Sequence, residues 1–147
     1  MGYRSEVAYA IIFKSTEDRD KILSRITPEQ QEIIKQDGEA IIREDRILFH
    51  ADGIKWYLSR ELGQYDLKGY DVVDAHDALI EAAKEAEDAF TSDADDPTGV
   101  YSMGVFLRLG EDDSDTERET WGEYNVPEGF PDLWDLIDYR REITVGW

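Results

Sequence analysis

The sequence predicts an α+β domain in which an antiparallel or mixed sheet carries its helices on one face. Three observations predict it: an opening segment of alternating apolar residues, a long amphipathic segment in the middle of the chain, and the segregation of helical from extended segments. The chain has 147 residues, which is near the size of one domain, and neither a repeat nor a linker divides it. We therefore expect a single domain over residues 1–147.

The first strand is predicted from Tyr3 to Lys14. From Val7 to Phe13 its even and odd positions are both apolar, which is typical of a central strand rather than an edge strand. Ser15 or Thr16 is then the expected N-cap of a first helix, because a hydroxyl at that position accepts a hydrogen bond from a free backbone N–H of the first turn.

A second helix is predicted to begin at Thr27 and to end at Gly38. Thr27 suits the N-cap, Pro28 suits the first helical position, and Gln30 completes a capping box. Glycine is the residue most often found just after the last helical turn.

A meander of three short strands is expected next. The strands are Glu39–Glu44, Ile47–Ala51 and Ile54–Leu58. Their turns are expected at Asp45-Arg46 and at Asp52-Gly53, because Asp-Gly favours a two-residue hairpin.

The second half of the chain begins with the clearest helix, Tyr70–Phe90, whose apolar residues recur at helical spacing. The remaining predicted elements are a strand at Val100–Leu109, a strand at Glu117–Tyr124, a short helix at Leu133–Ile137 and a last strand at Tyr139–Val145. This order resembles the split β-α-β core of the ferredoxin-like fold, with additional strands.

The composition excludes several kinds of chemistry. The chain contains no cysteine, so disulfides, thiolate nucleophiles and zinc–thiolate sites are ruled out. It has neither of the glycine-rich phosphate-binding motifs and no nucleophile-elbow pattern, so we expect no cofactor and no enzymatic activity. The N-terminus does not resemble a signal peptide, and the longest apolar run, Val7–Phe13, is too short to cross a bilayer. A cytoplasmic location is expected.

Negative charge is concentrated in the second half of the chain. The net charge is −19. Residues 1–70 hold 13 acidic and 11 basic residues, whereas residues 71–147 hold 22 acidic and 5 basic ones. Direct binding to nucleic acid or to an anionic membrane is disfavoured, because both require lysine and arginine.

The expected partner is therefore a basic protein surface, and the candidate binding residues fall in two acidic clusters. The first holds Glu85, Asp88, Asp93, Asp95 and Asp96, and the second holds Glu111, Asp112, Asp113, Asp115, Glu117 and Glu119. Trp121 is the candidate anchor beside them, since an exposed tryptophan rimmed by acids is typical of an interface. The alternative is that the acids only keep the protein soluble and that the tryptophan closes the core.

Metal and acid–base chemistry have weaker candidates. Asp113 begins a segment like a calcium-binding EF-hand loop, but Arg118 and Tyr124 occupy the positions that require glycine and glutamate, so we expect no metal site. His50 and His76 are the two histidines, and a catalytic role for either would require a pocket with neighbouring carboxylates of shifted pKa.

The opening Gly2–Ala8, followed by an apolar strand, resembles the start of small uncharacterised proteins encoded by bacteriophages and prophages. The resemblance identifies no functional residue. It implies a phage context, in which some small acidic proteins inhibit host defence by presenting carboxylates as DNA presents phosphates.

Three hypotheses of function follow. The first is an acidic interaction module that binds a basic nucleic-acid-binding protein by DNA mimicry, which requires the two acidic clusters to lie on one face. The second is a small ligand-binding or enzymatic domain, which requires a histidine-containing pocket. The third is a structural or assembly protein, with a sheet edge that forms a dimer.

Overall fold

The computed structural model describes residues 5–54, 70–110, 116–123, 126–132, 136–139 and 143–145. The first half contains β1 (Ser5–Phe13), α1 (Thr16–Leu23), α2 (Pro28–Gln36), β2 (Ala40–Ile42) and β3 (Arg46–Ile54). The second half contains α3 (Tyr70–Ser92), β4 (Ser102–Leu109), β5 (Thr116–Trp121), β6 (Ile137–Tyr139) and β7 (Ile143–Val145).

The main sheet is antiparallel and has the strand order β2-β3-β1-β4-β5. β1 is central, as its two apolar faces predict, and pairs with β3 on one side and β4 on the other. The first four strands have the order of a ferredoxin-like βαββαβ core, with α1 and α2 together in the place of its first helix, and β5 extends that core beyond β4. The predicted α+β class and the additional strand are both confirmed.

The three helices cover one face of this sheet. The odd-numbered positions of β1 point towards them and are completely buried or nearly so. The apolar side of α3 packs against the same layer through Val73, Leu79, Ala83 and Ala86. Helices on one face are what the sequence predicts, because each has a single apolar stripe that must be buried.

The opposite face of the sheet carries a second apolar cluster. Its sheet residues are Ala8, Ala10, Ile12, Leu48, Met103, Val105 and Leu107. Leu136 and Ile137 pack on them, and β6 pairs with β7 to form a separate two-stranded sheet. The predicted short helix is therefore wrong at Ile137, and the predicted last strand is instead divided between two strands. Apolar residues in so short a segment do not distinguish helix from strand.

Both predicted helix starts are confirmed. The Ser15 hydroxyl accepts a hydrogen bond from the Asp18 N–H at 3.1 Å. The Thr27 hydroxyl accepts from the Gln30 N–H at 3.1 Å, and the Gln30 side chain accepts from the Thr27 N–H at 3.0 Å. α2 also ends next to Gly38, where the sequence predicts its end: the last helical residue is Gln36 and the C-cap is Asp37 in an extended conformation.

The predicted turn at Asp52-Gly53 is wrong, because β3 runs continuously through both residues. The pairing of β1 with β3 shifts between Ser5 and Val7, so the irregularity that the glycine introduces is a bulge rather than a hairpin. The predicted strand Ile54–Leu58 lies outside the described residues except for Ile54, and Tyr3 at the predicted start of β1 also lies outside them.

Candidate functional site

Acidic side chains of α3 and β5 lie on the same face of the molecule. Side chains alternate along β5, so Glu117, Glu119 and Trp121 point towards the helix-bearing face of the sheet. Glu119 reaches α3 directly, because its Oε2 lies 2.7 Å from Nζ of Lys84. We call Glu81, Glu85 and Asp88 of α3, with Glu117 and Glu119 of β5, the acidic face.

The three α3 members form one stripe along the helix. Residues 81, 85 and 88 are spaced four and three positions apart, which places them above one another on a helix. All three are exposed, whereas Leu79, Ala83 and Ala86 on the other side of α3 are completely buried. The carboxylates of Glu85 and Asp88 make no ion pair or hydrogen bond with another residue of the described ranges.

Lys84 is the one cation that contacts both parts of the acidic face among the described residues. Its Nζ lies 2.7 Å from the Glu119 carboxylate and 3.4 Å from Oε1 of Glu81. Partial burial alone would lower the pKa of Lys84, but the hydrogen bonds and charges of the two glutamates outweigh it and raise the pKa above the usual value.

The carboxylate of Glu117 is held in place by a buried arginine. The Arg108 guanidinium, near the C-terminal end of β4 and opposite the start of β1, donates to Glu117 Oε1 at 3.1 Å and to the Ser5 hydroxyl at 3.0 Å. Arg108 is only 5% exposed, so its charge requires this carboxylate as a partner. Glu117 therefore has a structural task as well as a place on the acidic face.

The predicted residues after α3 shape a turn at the end of the helix. The Asp93 carboxylate accepts from the Asp95 N–H at 3.0 Å, and the Asp96 carboxylate accepts from the Thr98 N–H at 2.8 Å. The hydrogen bonds from the Thr98 hydroxyl and N–H lower the pKa of Asp96. Asp93 and Asp95 are exposed and continue the negative charge beyond the C-terminus of α3.

The prediction that Trp121 is an exposed anchor is wrong, because its side chain is buried. It is 7% exposed, its indole N–H donates to the Ser102 hydroxyl at 3.0 Å, and its ring lies over Gly104 of the neighbouring strand. A tryptophan held in this way closes the core. Of the other predicted site residues, Glu111, Asp112, Asp113 and Asp115 lie outside the described residues.

The structure adds Glu81 and Lys84 to the predicted site. Glu81 precedes Glu85 by one helical turn, so the spacing of acids in the helix was a signal that pointed to it. Lys84 had no comparable signal in the sequence, because its role depends on the position of β5.

The two histidines have different environments. His50 is partly exposed, and its Nε2 lies 2.8 Å from the Glu6 carboxylate. His76 is completely buried between three elements: its Nδ1 lies 2.5 Å from the Tyr9 hydroxyl, and its Nε2 lies 2.8 Å from the Asp37 carboxylate. The Phe49 ring packs on the imidazole with a centroid distance of 4.1 Å.

The surroundings of His76 shift the pKa values of its two hydrogen-bond partners in opposite directions. Burial, and secondarily the charge of Asp37, raises the pKa of Tyr9 well above its usual value, so the phenol stays protonated. The hydrogen bond with His76 Nε2 lowers the pKa of Asp37. Because Tyr9 and His76 are both inaccessible to solvent, we interpret this chain of hydrogen bonds as a structural feature.

Within the part of the chain that the structure describes, no three histidine or carboxylate side chains are placed to hold a metal ion. No described helix is both long enough and apolar enough to cross a membrane. Comparison with protein-family models, with curated proteins and with solved structures gives no match to this chain.

Proposed function

We propose that the protein is an acidic interaction module that binds a basic surface of a nucleic-acid-binding protein by DNA mimicry, as a phage-encoded inhibitor of a host protein would. The observation that carries this proposal is the position of Glu81, Glu85 and Asp88 on the same face as Glu117 and Glu119. The protein acts by occupying its partner's surface, and the proposal assigns it no reaction.

The geometry of the acidic face gives two neighbouring rows of charge. At a rise of about 1.5 Å per residue, Glu81 and Asp88 are roughly 10 Å apart along α3, with Glu85 between them. DNA carries a charge about every 3.4 Å along each strand, so one helical row is sparser than one DNA strand. The second row on β5 and the acids at the end of α3 raise the charge density towards that of a duplex.

The position of the charges favours a binding role over a purely solubilising one. Like charges at i,i+3 and i,i+4 repel along α3, and the last turn of the helix contains no base to offset the negative end of its dipole. Acids placed at the starts of helices would increase solubility without this cost. A charge pattern that opposes local stability is typical of a functional surface.

The test is affinity capture from host-cell lysate with three forms of the protein as bait. The wild type is compared with the variant E81Q/E85Q/D88N/E119Q and with a control, E29Q/E32Q/E39Q/E44Q, whose changes lie on α2 and around β2 at the opposite edge of the sheet. Both variants lose four negative charges, so net charge is matched. Glu117 is left unchanged because Arg108 depends on it.

We expect the wild type and the control to retain a basic nucleic-acid-binding protein at about 50 mM salt and to release it at about 500 mM, because the Debye length shortens several-fold. The acidic-face variant should fail to retain this protein at either salt concentration. The captured protein, once purified, should release labelled duplex DNA when the wild type is added. Equal capture by all three baits, or no capture by any, would contradict the proposal.

A further inference from the structure

We propose that the outer edge of β2 binds the same edge of a second copy of this chain, so that two molecules form a symmetric antiparallel dimer with Ile41 at the two-fold axis. The partner at this surface is the protein itself. The inference does not depend on the proposed function, because β2 and β5 lie at opposite edges of the sheet.

The first step is that β2 leaves backbone hydrogen-bonding groups unused at the edge of the sheet. The N–H of Arg43 donates to the carbonyl of Arg46 on β3, so the odd-numbered residues of this segment face β3. The peptide groups of Ala40 and Ile42 therefore point outwards, where no described strand pairs with them. The carbonyl of Asp37 accepts from the Ala40 N–H, but within the described residues the Ile42 N–H has no acceptor. Such an edge is a template for another strand.

The second step is that the side chains along this edge complement a copy of themselves. Ile41 is only half-buried, and it lies between Glu39 and Arg43, which are exposed and share its face of the sheet. Neither charged side chain makes an ion pair or a hydrogen bond with a described residue. When two antiparallel copies pair with Ile41 opposite Ile41, each Glu39 lies directly opposite the Arg43 of the second copy. In this register each Ile42 N–H donates to the Ala40 carbonyl of the second copy.

The third step is the difference in charge between the two edges of the sheet. β5 carries Glu117, Arg118 and Glu119, and charged side chains protect an edge against pairing. The three residues of β2 are all apolar. Residues 1–70, which include β2, hold 13 acidic and 11 basic residues, whereas residues 71–147 hold 22 acidic and 5 basic ones. Two molecules of this net charge therefore meet with less repulsion at β2 than at β5.

The register determines the shape and the strength of the dimer. Residues directly opposite each other in an antiparallel pair share a face, so the two sheets join into one with the helices of both copies on the same side. Nine spacings of about 4.8 Å then separate the two β5 strands, which lie roughly 40 Å apart. Because the contact involves only one short strand from each copy, we expect a weak dimer with a dissociation constant of about 10–200 μM.

The first experiment is analytical ultracentrifugation at protein concentrations of about 10–500 μM and about 150 mM salt. We expect the wild type to pass from monomer to dimer over this range. Glu39→Arg and Arg43→Glu should each raise the dissociation constant about ten-fold, because each reversal turns two attractive pairs into two repulsive ones. Asp88→Arg and Lys21→Glu change the net charge equally at exposed positions outside β2, and they should raise the dissociation constant by less than about two-fold.

Mixing the two reversed chains separates a broken interface from a damaged fold. In an equimolar mixture of Glu39→Arg and Arg43→Glu, both cross-strand pairs of the mixed dimer join opposite charges. The mixture should therefore dimerise about as tightly as the wild type, within roughly three-fold. The double variant Glu39→Arg/Arg43→Glu should likewise recover its own dimer. Recovery requires that both single variants are folded.

A second experiment tests the register by cross-linking. The chain contains no cysteine, so Ile41→Cys introduces one thiol per chain, at the two-fold axis. The two Cα atoms of such a non-hydrogen-bonded pair lie about 4.5 Å apart, within the range that a disulfide spans. Mild oxidation should link these chains much faster than chains carrying Ala40→Cys, because residue 40 lies opposite Ile42 of the second copy and not opposite itself.

The outcomes decide the proposal directly. A wild type that stays monomeric throughout the concentration range would overturn it. A dimer that both charge reversals leave unchanged, or that mixing the reversed chains does not recover, uses a different surface. Equal rates of cross-linking for Ile41→Cys and Ala40→Cys would contradict the register with Ile41 at the axis.

Discussion

At the scale of single residues, the chain Tyr9–His76–Asp37 connects the centre of the sheet to α3 and to the end of α2. The hydrogen bond from His76 Nε2 holds the pKa of Asp37 below its usual value of 3.8. A carboxyl whose pKa is lower in the folded state stabilises that state above the unfolded pKa and loses the effect as the pH falls through the folded pKa.

Asp37→Asn should therefore lower the free energy of unfolding by about 1 kcal/mol at pH 7, because an amide oxygen accepts this hydrogen bond less strongly than a carboxylate does. The difference between variant and wild type should stay constant down to about pH 4 and shrink below it. Urea unfolding at pH 7, 5, 4 and 3 measures this. The control is Asp52→Asn at an exposed carboxylate, and a difference independent of pH for Asp37→Asn would contradict the prediction.

A second residue-scale prediction concerns Gly104, which provides the space for Trp121. A Cβ at position 104 would lie 2.0 Å from the indole ring, so the ring must move and give up its hydrogen bond to Ser102. We expect Gly104→Ala to lower the free energy of unfolding by about 1–3 kcal/mol or more, measured by urea denaturation.

Two further variants test the cause. Gly38→Ala, where an added methyl meets nothing within 4 Å, should change stability by less than about 1 kcal/mol. In the background of Trp121→Leu, Gly104→Ala should cost less than in the wild type, because the ring it collides with is absent. An equal cost in both backgrounds would show that the glycine is needed for another reason.

The burial of Trp121 shows why residue-scale predictions failed where they did. Its neighbours in sequence are acidic, which indicated an exposed position, but its environment is set by Gly104 and Ser102 on the adjacent strand. Contacts across a sheet depend on register, which one sequence does not reveal. The buried partners of His76 were unpredictable for the same reason, since Tyr9 and Asp37 are far from it along the chain.

At the scale of elements, features determined by a few neighbouring residues were predictable and those determined by distant pairing were not. The capping box at Thr27 and the amphipathic α3 are local, and both are confirmed. The turn at Asp52-Gly53 also has a strong local signal, but β3 continues its pairing with β1 past this point. Extended pairing with a central strand overrides a turn preference, and the dipeptide becomes a bulge.

The candidate site divides in the same way. The sequence itself shows which residues are acidic. The periodicity of the apolar residues in α3 predicts that Glu85 and Asp88 lie on the outer side of the helix. The contact between Glu119 and Lys84 of this helix could not be predicted from the sequence, because it depends on the position of β5 at the edge of the sheet next to β4. The sequence therefore predicted the charge of the surface, and the fold supplied its shape.

At the scale of the whole molecule, the net charge of −19 opposes the compact state through self-repulsion. Salt should therefore stabilise the wild type, because it screens this repulsion. We expect the melting temperature to rise by about 3–6 °C between about 10 mM and about 300 mM sodium chloride, corresponding to a few like-charge pairs of about 0.2–0.5 kcal/mol each.

The two four-residue variants locate the repulsion. E81Q/E85Q/D88N/E119Q should melt at a higher temperature than the wild type at low salt and show a smaller rise with salt, whereas E29Q/E32Q/E39Q/E44Q should keep most of the wild-type rise. Differential scanning calorimetry at both salt concentrations measures this without any partner. Identical salt dependence in the two variants would mean that repulsion is spread over the whole surface and that the acidic face carries no special cost to stability. If the melting temperature rises less with salt in the acidic-face variant alone, the repulsion that lowers the stability of the fold lies at the surface that we propose for binding.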